Sequence, residues 1–326
     1  MTPPARRAFL SGLIDYAGLF PPAELAVEPA LDLYGRYRSG DDAWMLGRFL
    51  VPAARLADVG PLLAGVEGAG PVRFSVLGGA PPVVGHGPTS AMVVPEPSVA
   101  WLTATEAVIQ AARAFEEEHR GQAVCDAFEV RVPAPLARDV DALSGALGAL
   151  VPRLAAGRSR LALEVPFVDA PDATEPASHA IADANGRAGR AAFAVKFRCG
   201  GEAVPSAEAL AGAVTSARQA GVAFKATAGL HHPLRHTDVT GADAHGFLNL
   251  FGGAVLASVH GLGADDLAEV LDSRDASAWL LGDTLGWRTL RARPEQVAEA
   301  RERFALAYGS CSFDEPRDDL RALDWL

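Results

Sequence analysis

The sequence predicts an α/β fold: one (β/α)8 TIM barrel over residues 1–326, with a hairpin and helix segment inserted before the last strand. Three observations predict it. Short apolar runs of strand character alternate with longer amphipathic runs nearly to the end of the chain. The composition does not change along the 326 residues, so nothing marks a boundary between domains. Three strand runs also end alike, at Val51-Pro52, Val132-Pro133 and Val165-Pro166. Proline cannot donate to a sheet ladder, so a strand tends to stop there, and the recurrence places these ends on one rim. A doubly wound open sheet is the alternative fold, but no Gly-x-Gly-x-x-Gly turn supports it.

The elements follow in order. Leu13 to Leu19 is the first strand and Val27 to Tyr37 its helix. Trp44 to Val51 is the second strand, with the helix Ala53 to Ala64; Val72 to Leu77 is the third. A Pro- and Gly-rich loop from Gly78 to Ser98 then leads to the helix Thr103 to Arg120. Ala127 to Val132 precedes the helix Asp139 to Ala156, and Leu161 to Val165 the helix Pro176 to Ala188. The sixth and seventh strands, beginning at Ala191 and Val222, flank the helix Ser206 to Gly221, which closes on glycine. Beyond them come the helices Ala244 to Val259 and Ala264 to Leu271. A hairpin, Trp279 to Arg288, turns at Gly282-Asp283, and the helix Pro294 to Arg303 follows. Ala305 to Ser310 is the eighth strand, and Pro316 to Leu323 a last short helix.

Apolar residues make up 49% of the chain and charged residues 21%, the balance of a globular core-former. A net charge of −11 argues against nucleic acid or an anionic membrane as partner, since both need a basic surface. A small anionic substrate would need a local cluster of positive groups. The 3 cysteines, Cys125, Cys199 and Cys311, predict no disulfide framework and a cytoplasmic setting. Arg6-Arg7 before Ala8-Phe9-Leu10 is a faint leader pattern, but Asp15 interrupts the apolar stretch. Gly246 to Ala264 has nearly the length of a membrane span. Its glycines, Asn249 and Ser258 instead predict a helix buried in the protein. Assembly into a homo-oligomer stays open.

The chemistry concentrates in the strands. Val195-Lys196-Phe197-Arg198-Cys199-Gly200-Gly201 and Phe224-Lys225-Ala226-Thr227-Ala228-Gly229 each admit one lysine near the strand end and then break at glycine. A strand, helix and strand at this spacing form a βαβ unit, whose parallel strands are usually neighbours. Two ammonium groups that close in an apolar setting would lower each other's pKa, and a lysine neutral near pH 7 attacks carbonyl carbon. In such barrels catalytic groups stand at the C-terminal ends of the strands. Lys196, Lys225, Glu129 and Glu164 are therefore the catalytic candidates, the two glutamates as acid/base groups expected across the pocket from the lysines. Asp15, Arg48, Arg131, Arg198, Thr227, His231 and His232 are candidate substrate-binding residues. Gly200, Gly201, Gly229, Gly309 and Ser310 offer backbone N–H groups to an anion. The same charges also fit a structural salt-bridge network, such as Glu164 with Lys196.

His231-His232-Pro233-Leu234-Arg235-His236 has no His-Glu-x-x-His or Cys-x-x-Cys pattern, so no metal ligand is assigned there. His245 and His260 are read as core histidines, and Cys199 as packing.

The two lysine segments resemble the class I deoxyribose-phosphate aldolase type of barrel. That resemblance implies Lys196 as the Schiff-base lysine, Lys225 as the residue that lowers its pKa, glycine turns that hold phosphate, and no cofactor. Arg198, Cys199 and His231-His232 depart from that family's pattern. Ile14-Asp15-Tyr-Ala-Gly-Leu-Phe-Pro-Pro22, the segment Phe224 to Pro233, His245-Gly-Phe-Leu-Asn249 and the segment Gly309 to Pro316 are similar to a bacterial protein family whose activity is uncharacterised. The resulting expectation is a cofactor-free aldolase-type lyase acting on a small anionic carbonyl compound. The alternatives are a metal-dependent hydrolase or isomerase using His231, His232, Glu129 and Glu164, and a barrel that only binds a small ligand.

Overall fold

The computed structural model describes residues 2–78, 97–155, 159–201, 204–237 and 241–326. Its strands are β1 (Ile14–Tyr16), β2 (Leu46–Pro52), β3 (Val72–Leu77), β4 (Ala123–Arg131), β5 (Arg160–Glu164), β6 (Phe193–Arg198), β7 (Phe224–Thr227), β8 (His236–Thr237), β9 (Asp243–Ala244), β10 (Trp279–Leu281), β11 (Leu285–Trp287), β12 (Leu290–Ala292) and β13 (Ala305–Ser310). The strands β1 to β7 and β13 close a parallel barrel in the order β1-β13-β7-β6-β5-β4-β3-β2, with helices around it. This is the (β/α)8 barrel the alternating runs predicted, and the inserted segment lies between β7 and β13.

Period-two alternation sorts each barrel strand into an outer and an inner face. On the outside, Phe197, Phe224 and Phe251 follow one another at ring separations of 5.8 and 5.2 Å, and Phe49, Phe74 and Phe115 at 6.0 and 5.7 Å. This aromatic belt is buried under the helices. On the inside β4 carries Ala127 and Glu129, β5 Ala162 and Glu164, and β6 and β7 Lys196 and Lys225. Small and charged residues thus stand where most barrels have layers of branched apolar side chains.

Several elements differ from expectation for local reasons. The run Ala53 to Ala64 breaks into the four-residue helix Leu56–Val59 between two 3-10 turns, because Gly60-Pro61 cannot continue an α-helix. Ala244 to Val259 is not one helix. Asp243–Ala244 pairs as β9, and the buried segment opens with a π-helical turn at Leu248–Gly252 before Gly253–His260 becomes α-helical. The hairpin gains a third strand, β12, paired antiparallel with β11. Asp139 to Ala156 is the helix Val140–Ala155 preceded by the short helix Ala134–Arg138, with residue 156 outside the described residues. Residues 79–96 of the Pro- and Gly-rich loop also lie outside them. At the N-terminus Pro4–Leu10 is a helix, anchored where Arg6 Nε donates to the Leu281 carbonyl at 3.0 Å. Among the described residues no helix is long and apolar enough to cross a membrane.

Candidate active site at the C-terminal mouth

Register brings the charged side chains together. Glu164 is the cross-strand partner of Lys196, and Lys196 that of Lys225. Lys196 and Lys225 therefore sit on neighbouring strands and point into the barrel, only 4% and 6% exposed. Carboxylates separate them. Lys196 Nζ lies 2.8 Å from Glu129 Oε2 and 2.9 Å from Glu164 Oε2. Lys225 Nζ contacts the other oxygen of Glu129 and lies 2.5 Å from Asp15 Oδ2. Ser75 Oγ donates to Glu129 Oε1 at 2.7 Å, and the Arg48 backbone N–H donates to Asp15 at 2.6 Å. At the open end Arg131 Nε and Arg198 Nε approach Glu164 Oε1 at 2.8 and 3.2 Å. Charge alternates without a break from Asp15 through Lys225, Glu129, Lys196 and Glu164 to the two arginines.

This order overturns the expected pKa logic. The glutamates do not stand across a pocket from the lysines; they are interleaved with them. Burial alone would push the Lys196 ammonium down, but Glu129 and Glu164 outweigh burial and raise it above its ordinary value. Burial likewise favours a neutral Glu164, yet Lys196, Arg198 and Arg131 hold its carboxyl at about 2. Glu129, under the same penalty, is held well below the carboxylate range by Lys196 and Lys225. Glu129 and Glu164 thus hold the proton on Lys196, the opposite of the neutral amine expected from a neighbouring lysine.

A cavity of about 610 Å³ opens above this layer at the C-terminal mouth. Its floor is Glu129, Glu164 and Lys196; Arg131, Arg198, Thr227, Gly201, Gly229, Gly309 and His231 form its walls. The two arginine side chains are 58% and 43% exposed, so their outer edges are open to a ligand. Loop geometry depends on glycine here. Gly229 has φ +72°, and a Cβ on Gly200 would lie 2.8 Å from the Gly229 Cα, so the loops after β6 and β7 touch backbone to backbone.

Six expected site residues, Asp15, Arg48, Lys225, Gly200, Ser310 and His232, do not line the mouth. Arg48, Asp15 and Lys225 line a second cavity at the opposite, N-terminal end and not the mouth; Glu129 is common to both. Arg48 Nε pairs with Asp126 Oδ1 at 2.6 Å and cannot reach the mouth. Gly200 packs on Gly229 and does not line the mouth. Ser310 is buried, and its Oγ accepts the Ser312 N–H at 3.4 Å. His232 turns away to Asp319, and His231 Nδ1 lies 2.8 Å from Glu315 Oε2. The metal set of His231, His232, Glu129 and Glu164 is therefore not assembled. Among the described residues no group of three or more His, Cys, Asp and Glu side chains is arranged to hold a metal.

His245 is a buried histidine: burial lowers its pKa although a bond with the Pro205 carbonyl opposes this. His260 is exposed rather than a core residue, its Nε2 donating to the Arg291 carbonyl at 2.9 Å. Cys199 is buried packing, as expected. Ser75, Cys311 and Pro21-Pro22, none of them expected as site residues, also line the two cavities. Ser75 had a signal, a lone hydroxyl inside an apolar strand. Cys311, whose Sγ lies 3.9 Å from His231 Nε2, carried only its place just after the eighth strand.

No protein-family model matches the chain, and no curated protein sequence matches it.

Proposed function

We propose that the chain is a cofactor-free lyase of the aldolase type, acting on a small anionic carbonyl compound through a Schiff base on Lys196. The observation that carries this reading is the placing of one buried lysine in the floor of the C-terminal mouth beneath two half-exposed arginines. Arg131 and Arg198 suit a phosphate or carboxylate, for which a guanidinium offers paired donors. Such an anchor would set a carbonyl carbon over Lys196. Attack needs the free amine, so Lys196 must first pass its proton to Glu164 or to solvent. The amine then adds to the carbonyl carbon and water leaves, forming an iminium ion that draws electrons from the carbon–carbon bond being broken. A carboxylate takes the proton of the hydroxyl on the carbon being split off, which leaves as a carbonyl compound; the enamine left on Lys196 is then protonated at carbon, and water releases the second product and the free amine.

The ion pairs on Lys196 favour a second reading. A lysine held charged can stabilise a developing enolate oxygen as an ammonium group, with Glu164 as the proton acceptor and no covalent intermediate. Borohydride reduction separates the two. The protein is incubated with small phosphorylated or carboxylated aldehydes and ketones, reduced, weighed intact and peptide-mapped. A reduced adduct on Lys196 that is lost in Lys196→Ala supports the lyase reading. An adduct on Lys225 reverses the roles of the lysines. Carbon–carbon cleavage or isomerisation without any adduct supports the ammonium reading.

A further inference from the structure

The second cavity, about 830 Å³ at the N-terminal end of the barrel, is of a size that holds small ligands. It exists because the interior positions below the charged layer are small: Ala127, Ala162 and Ala307 line it. Around this space stand Arg48, Arg73, Arg160, Arg190 and Arg301. Asp126 serves two of them, its Oδ1 2.6 Å from Arg48 Nε and its Oδ2 3.1 Å from Arg73 Nε. Among the described residues the other three pair with no carboxylate. Arg160 donates to the Ala191 carbonyl at 3.1 Å, and Arg190 to those of Ser159 and Leu154 at 2.9 and 2.6 Å. Arg301 is buried and donates to the Phe9 carbonyl at 2.9 Å. Of the four carboxylates that line the cavity among the described residues, Asp15 and Glu129 are taken up by Lys225 and Lys196 and Asp126 by Arg48 and Arg73, so only the exposed Glu302 is left for the other three guanidinium groups, in a protein whose net charge is −11.

Like charges held this close oppose one another. Burial, then Arg48 and Arg190, lower the pKa of Arg160, while Glu302 only partly offsets them. Burial takes Arg301 down to about 9. Carbonyl oxygens satisfy these donors without cancelling their charge. An anion with closely spaced oxygens would do both, and the guanidinium fork matches phosphate and carboxylate. The opposite end of the barrel has its own anion anchors in Arg131 and Arg198, so this cluster is not needed to hold the substrate there.

We propose that the N-terminal cavity binds a small compound carrying two or more negative charges, of the phosphorylated or polycarboxylic class, at a site separate from the C-terminal mouth. The site is independent of the reaction assigned to that mouth. Its recognition groups are Arg73, Arg160 and Arg190, with Arg48 and Asp126 setting the wall.

Calorimetric titration with inorganic pyrophosphate and with citrate, at fixed low ionic strength, tests this. The unmodified protein should show a saturable event at this end, told from any at the mouth by the variants below, and the stronger ligand tells phosphate from carboxylate recognition. Arg160→Gln/Arg190→Gln should weaken it by at least ~10-fold, as expected for lost charged hydrogen bonds. Arg131→Gln/Arg198→Gln should leave it unchanged. Should the first pair of changes prevent folding, the exposed Arg73→Gln should still weaken binding several-fold. No saturable binding by the unmodified protein overturns the proposal. So does binding lost in the Arg131/Arg198 variant but kept in the Arg160/Arg190 or Arg73 variant, or binding abolished equally by potassium chloride at matched ionic strength.

Discussion

Lys196 and Glu129 differ in what their removal should do. Two carboxylates raise the pKa of Lys196, so its free amine becomes more abundant as pH rises past neutrality and no plateau near pH 7 is expected. The rate of borohydride-trapped adduct formation should keep climbing through about pH 10, the ordinary lysine value. Glu164→Gln removes one of the groups that hold the proton on, and should move that climb to lower pH. An unmoved profile would mean that Glu164 does not control the lysine. Glu129 is a different case, because it serves both Lys196 and Lys225 and is 2% exposed. Removing one partner of a buried ion pair leaves charge uncompensated and costs about 3–5 kcal/mol. Glu129→Gln should therefore lower the urea midpoint by an amount equivalent to that. Glu164→Gln, which leaves Lys196 paired with Glu129, should cost no more than that.

At the scale of elements, the contact between the loops after β6 and β7 sets the shape of the mouth. Gly200→Ala would put a methyl 2.8 Å from the Gly229 Cα, and backbone cannot turn aside as a side chain can. Overpacking of this kind costs about 1–3 kcal/mol. The variant should lose that much stability in urea titration and bind anionic ligands at the mouth more weakly, because Gly229 and Gly201 wall it. Strands such as Val72–Leu77 and Ala305–Ser310, and the helix Pro294–Arg303, were legible from periodicity alone. Short elements were not: β12 has three residues, one of them arginine, and the helix at Pro4–Leu10 was hidden by its paired arginines. The lysines' inward direction followed from alternation, but depth along the barrel axis did not. Arg48 lies four residues before Pro52, and a strand rises about 3.3 Å per residue, so it sits about 13 Å below that rim. Arg131 is two residues before Pro133 and does reach the mouth. Counting back from the Val-Pro endings would have separated the two ends of the barrel. What no strand pattern reveals is that carboxylates from β4 and β5 intervene between lysines on β6 and β7, since that depends on side-chain reach across the lumen.

For the molecule as a whole, the ionised network ties stability to pH at both extremes. Glu164 has a folded pKa of about 2 against an ordinary 4.5, so its contribution is complete above about pH 4.5 and disappears as pH falls toward 2. At 1.36 kcal/mol per unit the difference is roughly 3 kcal/mol. Lys196 is shifted upward, so its contribution is complete below 10.5 and is lost as pH rises through the higher folded value. Thermal unfolding followed from pH 2 to 11 should show a broad plateau with both edges falling, and Glu164→Gln should flatten the acid edge. An acid edge equally steep in that variant would place the acid sensitivity in other carboxylates. The barrel itself is closed by the first strand against the last, Ile14 facing Tyr308 and Asp15 facing Gly309. A ribosome releases these partners at opposite ends of synthesis. Until β13 emerges, β1 and β7 both remain unpaired edges, open to other nascent chains. Expression of this protein should therefore be far more sensitive to premature termination or slow translation just before the codons for Ala305–Ser310 than a repeat protein is to the same fault.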